Sequence, residues 1–248
     1  MTHRRLAALC LLLGSAPSDE RVTTHSKGVA TSYVTRQLDG FTVHVDLRLL
    51  AQEKETGDAA LAVLGSHLFQ IERTVRPAAL EKLRQIPLWL GLDDPVAPCA
   101  CYHPSPEWLT QNGFDSQKAK SVELANAAHF ITWTHQQPWM VLHALAHGNH
   151  DRFLRGAGAG DTAATEQARQ LDTLVTEAQQ SGSYDAVLHW NGGTVRHYAL
   201  NNADEYFAEA SEAWFGTNDF FPFVHAELVQ HDPALAKLLA RIWGEPQR

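Results

Sequence analysis

Cysteine is scarce in this chain of 248 residues, with three in all. So few exclude a fold stapled by many disulfides, the usual solution for small secreted domains with thin cores. Basic clusters are absent too. The formal net charge is −8, and no Lys/Arg run breaks the sequence, which argues against nucleic acid or an anionic membrane surface as partner. Long apolar runs are also missing, so no segment approaches the ~20 residues needed to span a bilayer. What remains is 44% hydrophobic and 19% charged, the composition of an ordinary globular protein with enough length for a substantial core. Histidine is the exception. Fourteen are present, so histidine spacings need support from context.

The first residues have the pattern of a signal peptide over 1–16. His3, Arg4 and Arg5 form a positive start, Leu6 to Leu13 an apolar stretch, and Gly14-Ser15-Ala16 a small-residue cleavage site. Export to a secreted or periplasmic location follows as an expectation. Cys10 is preceded by Leu, which fits a lipoprotein site poorly. Cleavage would leave Cys99 and Cys101, which can form a strained disulfide or stay as thiols; with His103 they lack a well-spaced fourth metal ligand.

Periodicity predicts mixed helices and strands in an α+β arrangement. Residues 17–35 read as a polar, patternless leader. Phe41 to Leu50 alternates as a strand. Asp58 to Val75 carries helical spacing behind an Asp cap, and a short helix follows with Pro77 near its start. Ile86 to Leu92 reads as a strand, and 93–117 as a long irregular loop. Ser121 to Trp133 starts as a strand, with His129 a strand histidine. Pro138 opens a helix running to about Leu154. Asp161 caps an amphipathic helix that stops at Gly182, with Ala164, Ala168, Leu171 and Val175 inward. Residues 186–200 form a hairpin around Asn191-Gly192. A helix over Ala203 to Phe215 ends at Gly216, and a last one begins with Asp232 as cap and Pro233 at its first position. In "GTNDFFPF", Gly216 to Phe223, Asp219 is a candidate helix cap. No repeat or linker divides the chain, so 17–248 reads as one domain.

Chemistry concentrates in "QPWMVLHALAHGNHDRFL", Gln137 to Leu154. His143 and His147 stand four apart, hence on one helix face, the spacing by which a helix holds zinc. About 0.8 such pairs would arise by chance at this histidine content, so the pair alone is weak. His150 lies about 10 Å from His143 along the axis, too far for all three to hold one ion; His147 with His150 is a rival pair. A third ligand is on offer in "NNADEYFAEASEAWFG", where Glu205, Glu209 and Glu212 share a face among dense aromatics. Buried acids need partners.

Together these segments resemble the gluzincin metallopeptidases of the anthrax lethal-factor type and their MtfA-like relatives. That family has H-E-x-x-H on one helix and E-[FY]-F-A-E on a later one, with a tyrosine seven residues before the first glutamate. Here stand "HALAH", "EYFAE" at 205–209, Tyr198 and Asn202. The match spans Trp139 to Phe215, about a third of the chain. It implies a zincin-like metallopeptidase domain: a small mixed sheet with an edge strand near Ser121–Trp133, packed on an active-site helix and a glutamate helix, with the motif-bearing core over about 120–248. It further implies Zn2+ held by His143, His147 and Glu205, Glu209 behind a ligand imidazole, and Tyr198 stabilising an oxyanion. One departure is decisive for activity. Ala144 occupies the position of the glutamate base, a loss of about 10²–10⁴-fold in rate. The resemblance thus implies an exported zinc metallopeptidase-family protein acting on peptides with catalysis compromised; the alternative is a zinc-binding pseudoenzyme that binds a peptide or protein in the same cleft. Glu123, Glu209 and Glu212 are candidate substitute bases.

Overall fold

The computed structural model describes residues 20–94, 100–156 and 161–247; the signal-peptide reading over 1–16 and Cys99 lie outside them. Two hairpins begin the sheet. β1 (Arg21–Ser26), β2 (Val29–Leu38) and β3 (Phe41–Asp46) pair antiparallel through Lys27-Gly28 and Asp39-Gly40. All four turn residues have positive φ, the geometry of tight turns matching strand twist. Residues 20–38 are therefore ordered sheet, not a leader. Their run buries only Thr24, Ser26, Tyr33 and Val34, two of them polar, so it lacks the apolar alternation of β3, which buries Phe41, Val43 and Val45.

The rest of the sheet is mixed. β4 (Leu88–Leu90) runs parallel to β3, β6 (Val122–Leu124) parallel to β4, and β5 (Ala100–Tyr102) antiparallel to β6. The order β1-β2-β3-β4-β6-β5 makes β5 the outer strand. The edge strand expected near Ser121–Trp133 is thus displaced: β6 is internal, and the remainder of that segment is α5 (Ala127–Trp133). Asn126 causes the change by accepting a hydrogen bond from the His129 amide at 2.9 Å, an N-cap that starts a helix. His129 is accordingly helical. The region 93–117 also holds more order than a loop, since it contributes β5 and α4 (Pro106–Gln111).

Helices cover the sheet. β3 leads directly into α1 (Leu47–Ala51), so the strand expected to Leu50 stops at Asp46, whose carboxylate caps α1. α2 (Lys54–Thr74) buries Ala60, Leu64, Leu68 and Ile71, one stripe at helical spacing. It starts before Asp58, which lies inside the helix and pairs with Lys54. α3 (Pro77–Arg84) follows. α6 (Met140–Asn149) is buried around almost its whole circumference, as suits a central helix. It begins at Met140 rather than Pro138 and widens into a π-helical stretch over His150–Arg155. At Gly148 an added Cβ would lie 2.7 Å from Ile86 and 3.0 Å from Tyr102, so α6 meets the sheet closely there. α7 (Thr162–Ser181) has Asp161 as its cap and Gly182 at positive φ as its stop. β7 (Val187–Leu188) and β8 (Thr194–Val195) form a hairpin shorter than the 186–200 expected, since Tyr198–Asn201 turns into a 3-10 helix. α8 (Ala203–Phe215) packs against α6, and α9 (His225–His231) and α10 (Pro233–Trp243) close the far side. Asp232 caps α10 by accepting from the Leu235 amide. Among the described residues no helix is long and apolar enough to cross a membrane.

Candidate metal centre

The packing of α6 on α8 brings three donors together. On α6, His143 and His147 project from successive turns, their Nε2 atoms 3.0 Å apart. On α8, Glu205 presents Oε2 at 3.1 Å from His143 Nε2 and 3.3 Å from His147 Nε2. Asn202 fixes that glutamate's place by accepting the Glu205 amide hydrogen at 2.8 Å, so the helix begins one turn before the donor. A tetrahedral zinc with bonds of about 2.0–2.1 Å holds its ligands about 3.3 Å apart. The triangle fits that ion. Its three side chains are only 14 to 18% exposed and border a cleft of about 740 Å3, which leaves the fourth corner open to a small molecule.

Charge distribution supports the same point of convergence. Burial opposes charge on His143, yet hydrogen bonds to Glu205 and Glu212 hold its pKa well above the ordinary value. Burial likewise raises Glu205, but the two histidines outweigh it and bring the carboxyl down to about 2. The carboxylate therefore stays ionised, and positive charge is favoured at the centre of the triangle.

Behind the donors, the partner of His143 is Glu212. Its Oε1 lies 2.7 Å from His143 Nδ1, whereas Glu209 Oε1 lies at 3.6 Å. The place expected of Glu209, against His143 Nδ1, is thus taken by Glu212, which also accepts from Gln137 Nε2 at 2.7 Å. Glu209 is buried, and desolvation with the nearby Glu212 charge pushes its pKa well above the carboxylate range. Neither Gln137 nor this place of Glu212 was read from the sequence. Glu212 alone carried a signal, its seven-residue spacing from Glu205.

Tyr198 lies in a short 3-10 turn before α8, half-exposed on the cleft wall. Desolvation and the Glu205 carboxylate raise its pKa, which keeps the phenol a donor beside that carboxylate. Ala144 is buried yet is among the residues that line the same cleft. His150 is turned away: its ring lies against Phe207, with Nδ1 2.5 Å from Asp204 Oδ1, and the rival pair with His147 does not form. β5 also lines the cleft, through Ala100, Cys101 and Tyr102.

Glu123 sits elsewhere. It accepts from buried Lys118 and lies 2.7 Å from His103 Nε2, with Cys101 Sγ 3.6 Å from that same nitrogen. This is a second grouping of metal-ligand residue types. Lys118, also 3.1 Å from Asp94, already supplies it with a cation. Asp219 caps no helix. Its loop borders the cleft, and α9 starts later, after Val224.

The site so defined is a two-histidine, one-carboxylate centre in a cleft between two helices of a mixed α/β fold. No protein-family model, curated protein or solved structure compared with the chain matches it.

Proposed function

We propose that the chain is a zincin-like zinc protein whose cleft receives an extended peptide, and whose peptide-bond hydrolysis is slow because position 144 lacks a carboxylate. One observation carries the reading: the triangle of His143, His147 and Glu205 donors, with sides of 3.0 to 3.3 Å. Those residues would hold the ion. When bound, zinc supplies Lewis acidity to a carbonyl and makes a neighbouring water easier to deprotonate.

The chain's own groups supply the remainder. β5, at the end of the sheet, offers an edge along the cleft to which an extended peptide can add as a further strand. Trp133 and Phe220 give the cleft apolar walls. Tyr198 donates a hydrogen bond to an oxygen that gains negative charge. Glu212 accepts from His143 Nδ1, fixing the tautomer that leaves Nε2 free for the metal. Export follows the reading of residues 1–16.

Ala144 favours a second reading, a pseudoenzyme that keeps the metal and the cleft for binding alone. Zinc content decides the first part: about one ion per purified chain, falling sharply in Glu205→Ala and His147→Ala, supports the centre. No uptake in the unaltered chain defeats both readings. Hydrolysis of a fluorogenic peptide mixture by the unaltered chain separates an enzyme from the binding-only form.

A further inference from the structure

Five carboxylates among the described residues border the cleft: Asp151, Asp204, Glu205, Glu209 and Asp219. Three have other work, and a fourth, Glu209, has an Oε2 without a hydrogen-bond partner but stands behind the His143 ring. Asp151 accepts from Tyr102 Oη at 2.6 Å and from Lys120 Nζ at 2.7 Å. Asp204 is 2.5 Å from His150 Nδ1. Glu205 is a donor to the proposed ion. Glu209 lies on the Nδ1 side of the His143 ring, away from the edge that faces the triangle.

Asp219 differs. Its Oδ1 is buried without a hydrogen-bond partner, and Oδ2 is 3.7 Å from His189 Nε2. The loop that carries it is held firmly on both sides. Trp190 donates its amide to the Asp219 carbonyl at 2.8 Å, Phe220 bridges to His189, and buried Asn218 donates to the Glu209 carbonyl at 3.0 Å. A carboxylate so fixed on the cleft wall, with one oxygen free of hydrogen bonds, has the attributes of a general base.

Resting on the zinc-peptidase reading, we propose that Asp219 is the proton acceptor that serves this cleft in place of a glutamate at 144. A water in the cleft gives one proton to the Asp219 carboxylate, and its oxygen forms the bond to the scissile carbonyl carbon as the C=O pair moves onto oxygen. When that pair returns, the C–N bond breaks with its electrons on nitrogen, and Asp219 passes its proton to the departing amine. One water is consumed, and a carboxylic acid and an amine result. The surroundings suit the task. Desolvation and the Glu212 charge raise Asp219 to about 6, against the opposing pull of a backbone hydrogen bond, His189 and His143. Glu209 is the remaining acid nearby, and its own carboxyl is pushed toward the neutral form.

The test uses the zinc-loaded full chain, Asp219→Asn, and Asp219→Asn combined with Ala144→Glu, each checked for zinc content. Hydrolysis of the fluorogenic peptide mixture should fall about 100-fold or more in Asp219→Asn with zinc retained. Recovery in the combined variant would show that the fold and centre survive the change. Independently of turnover, 13C NMR of side-chain carboxyls should show a resonance that is lost in Asp219→Asn and moves on zinc addition. Unchanged turnover in Asp219→Asn, or a carboxyl resonance indifferent to zinc, overturns the role. So does a zinc-loaded chain that hydrolyses nothing until Ala144→Glu is introduced, though that result leaves the zinc-peptidase cleft standing. Absence of zinc uptake removes the underlying reading instead, and metal content alone identifies that failure.

Discussion

Gln137 and His143 meet on a single oxygen: Glu212 Oε1 lies 2.7 Å from Gln137 Nε2 and 2.7 Å from His143 Nδ1. The segment before α6 thereby helps to aim the His143 ring on α6 through an acid on α8. Ligand imidazoles held this way lose about 10–100-fold in metal affinity when the outer partner is removed. Glu212→Gln should weaken zinc binding by about that factor, measured by competition with a chromogenic chelator. Gln137→Ala should cause a smaller loss, since His143 keeps its carboxylate. Equal affinity in Glu212→Gln and the unaltered chain would dismiss the orienting role.

Ala144→Glu should return a carboxylate to the cleft wall without touching a donor. Peptide hydrolysis is expected to rise about 10²–10⁴-fold if the cleft is otherwise competent, with zinc content unchanged. A variant that holds zinc and, like the unaltered chain, hydrolyses no peptide would favour the binding-only reading.

Gly216→Ala should be costly. Its φ of −157° suits any residue, but an added Cβ would fall 1.8 Å from Trp139 Nε1. Trp139 is the residue from which α6 starts, so α6 and the end of α8 touch at this point. Overpacking of this kind costs about 1–3 kcal/mol. Urea unfolding of the metal-free chain should register the loss, and zinc affinity should fall with it. A midpoint equal to that of the unaltered chain would count against the contact.

His67 gives a pH dependence away from the centre. Burial alone brings its pKa down from 6.5 to about 4, and its ring lies 6.0 Å from that of Phe130. Because the unfolded chain takes up this proton first, the contribution is complete above about pH 6.5 and is lost as pH falls toward 4, below which it levels off. His67→Gln should flatten that part of the stability profile, read from urea midpoints between pH 7 and pH 4. An unchanged slope would discount the histidine.

The helices were legible where local chemistry agreed with burial. Asp161 and Gly182 bracket α7, and Asp232-Pro233 opens α10, because caps act within a few residues. The strands β1 and β2 were not, since their side chains are largely exposed and only the two turns with positive φ reveal them. β5 is three residues long and takes its role from its neighbour β6, so nothing in its own composition announces it. Four-residue spacing singled out His143 and His147 and the later motif Glu205, and the structure brings these three side chains together. Choosing Glu209 over Glu212 was the error. At 100° per residue, a separation of seven returns within about 20° of the starting direction and one of four within about 40°, so Glu212 follows Glu205 more closely around the helix. Gln137 and Asp219 came together only through tertiary packing.

The order of elements along the chain has a kinetic consequence. All six strands of the main sheet lie between Arg21 and Leu124, while the three donors come from His143 onward. A chain emerging from the ribosome therefore completes its sheet sequence before any ligand residue appears, and domains assemble as units during synthesis. The centre is the last part to be written. If the proposed zinc is bound, it meets α6 and α8 once the surface beneath them exists, as a latch on a nearly finished fold and not as its nucleus.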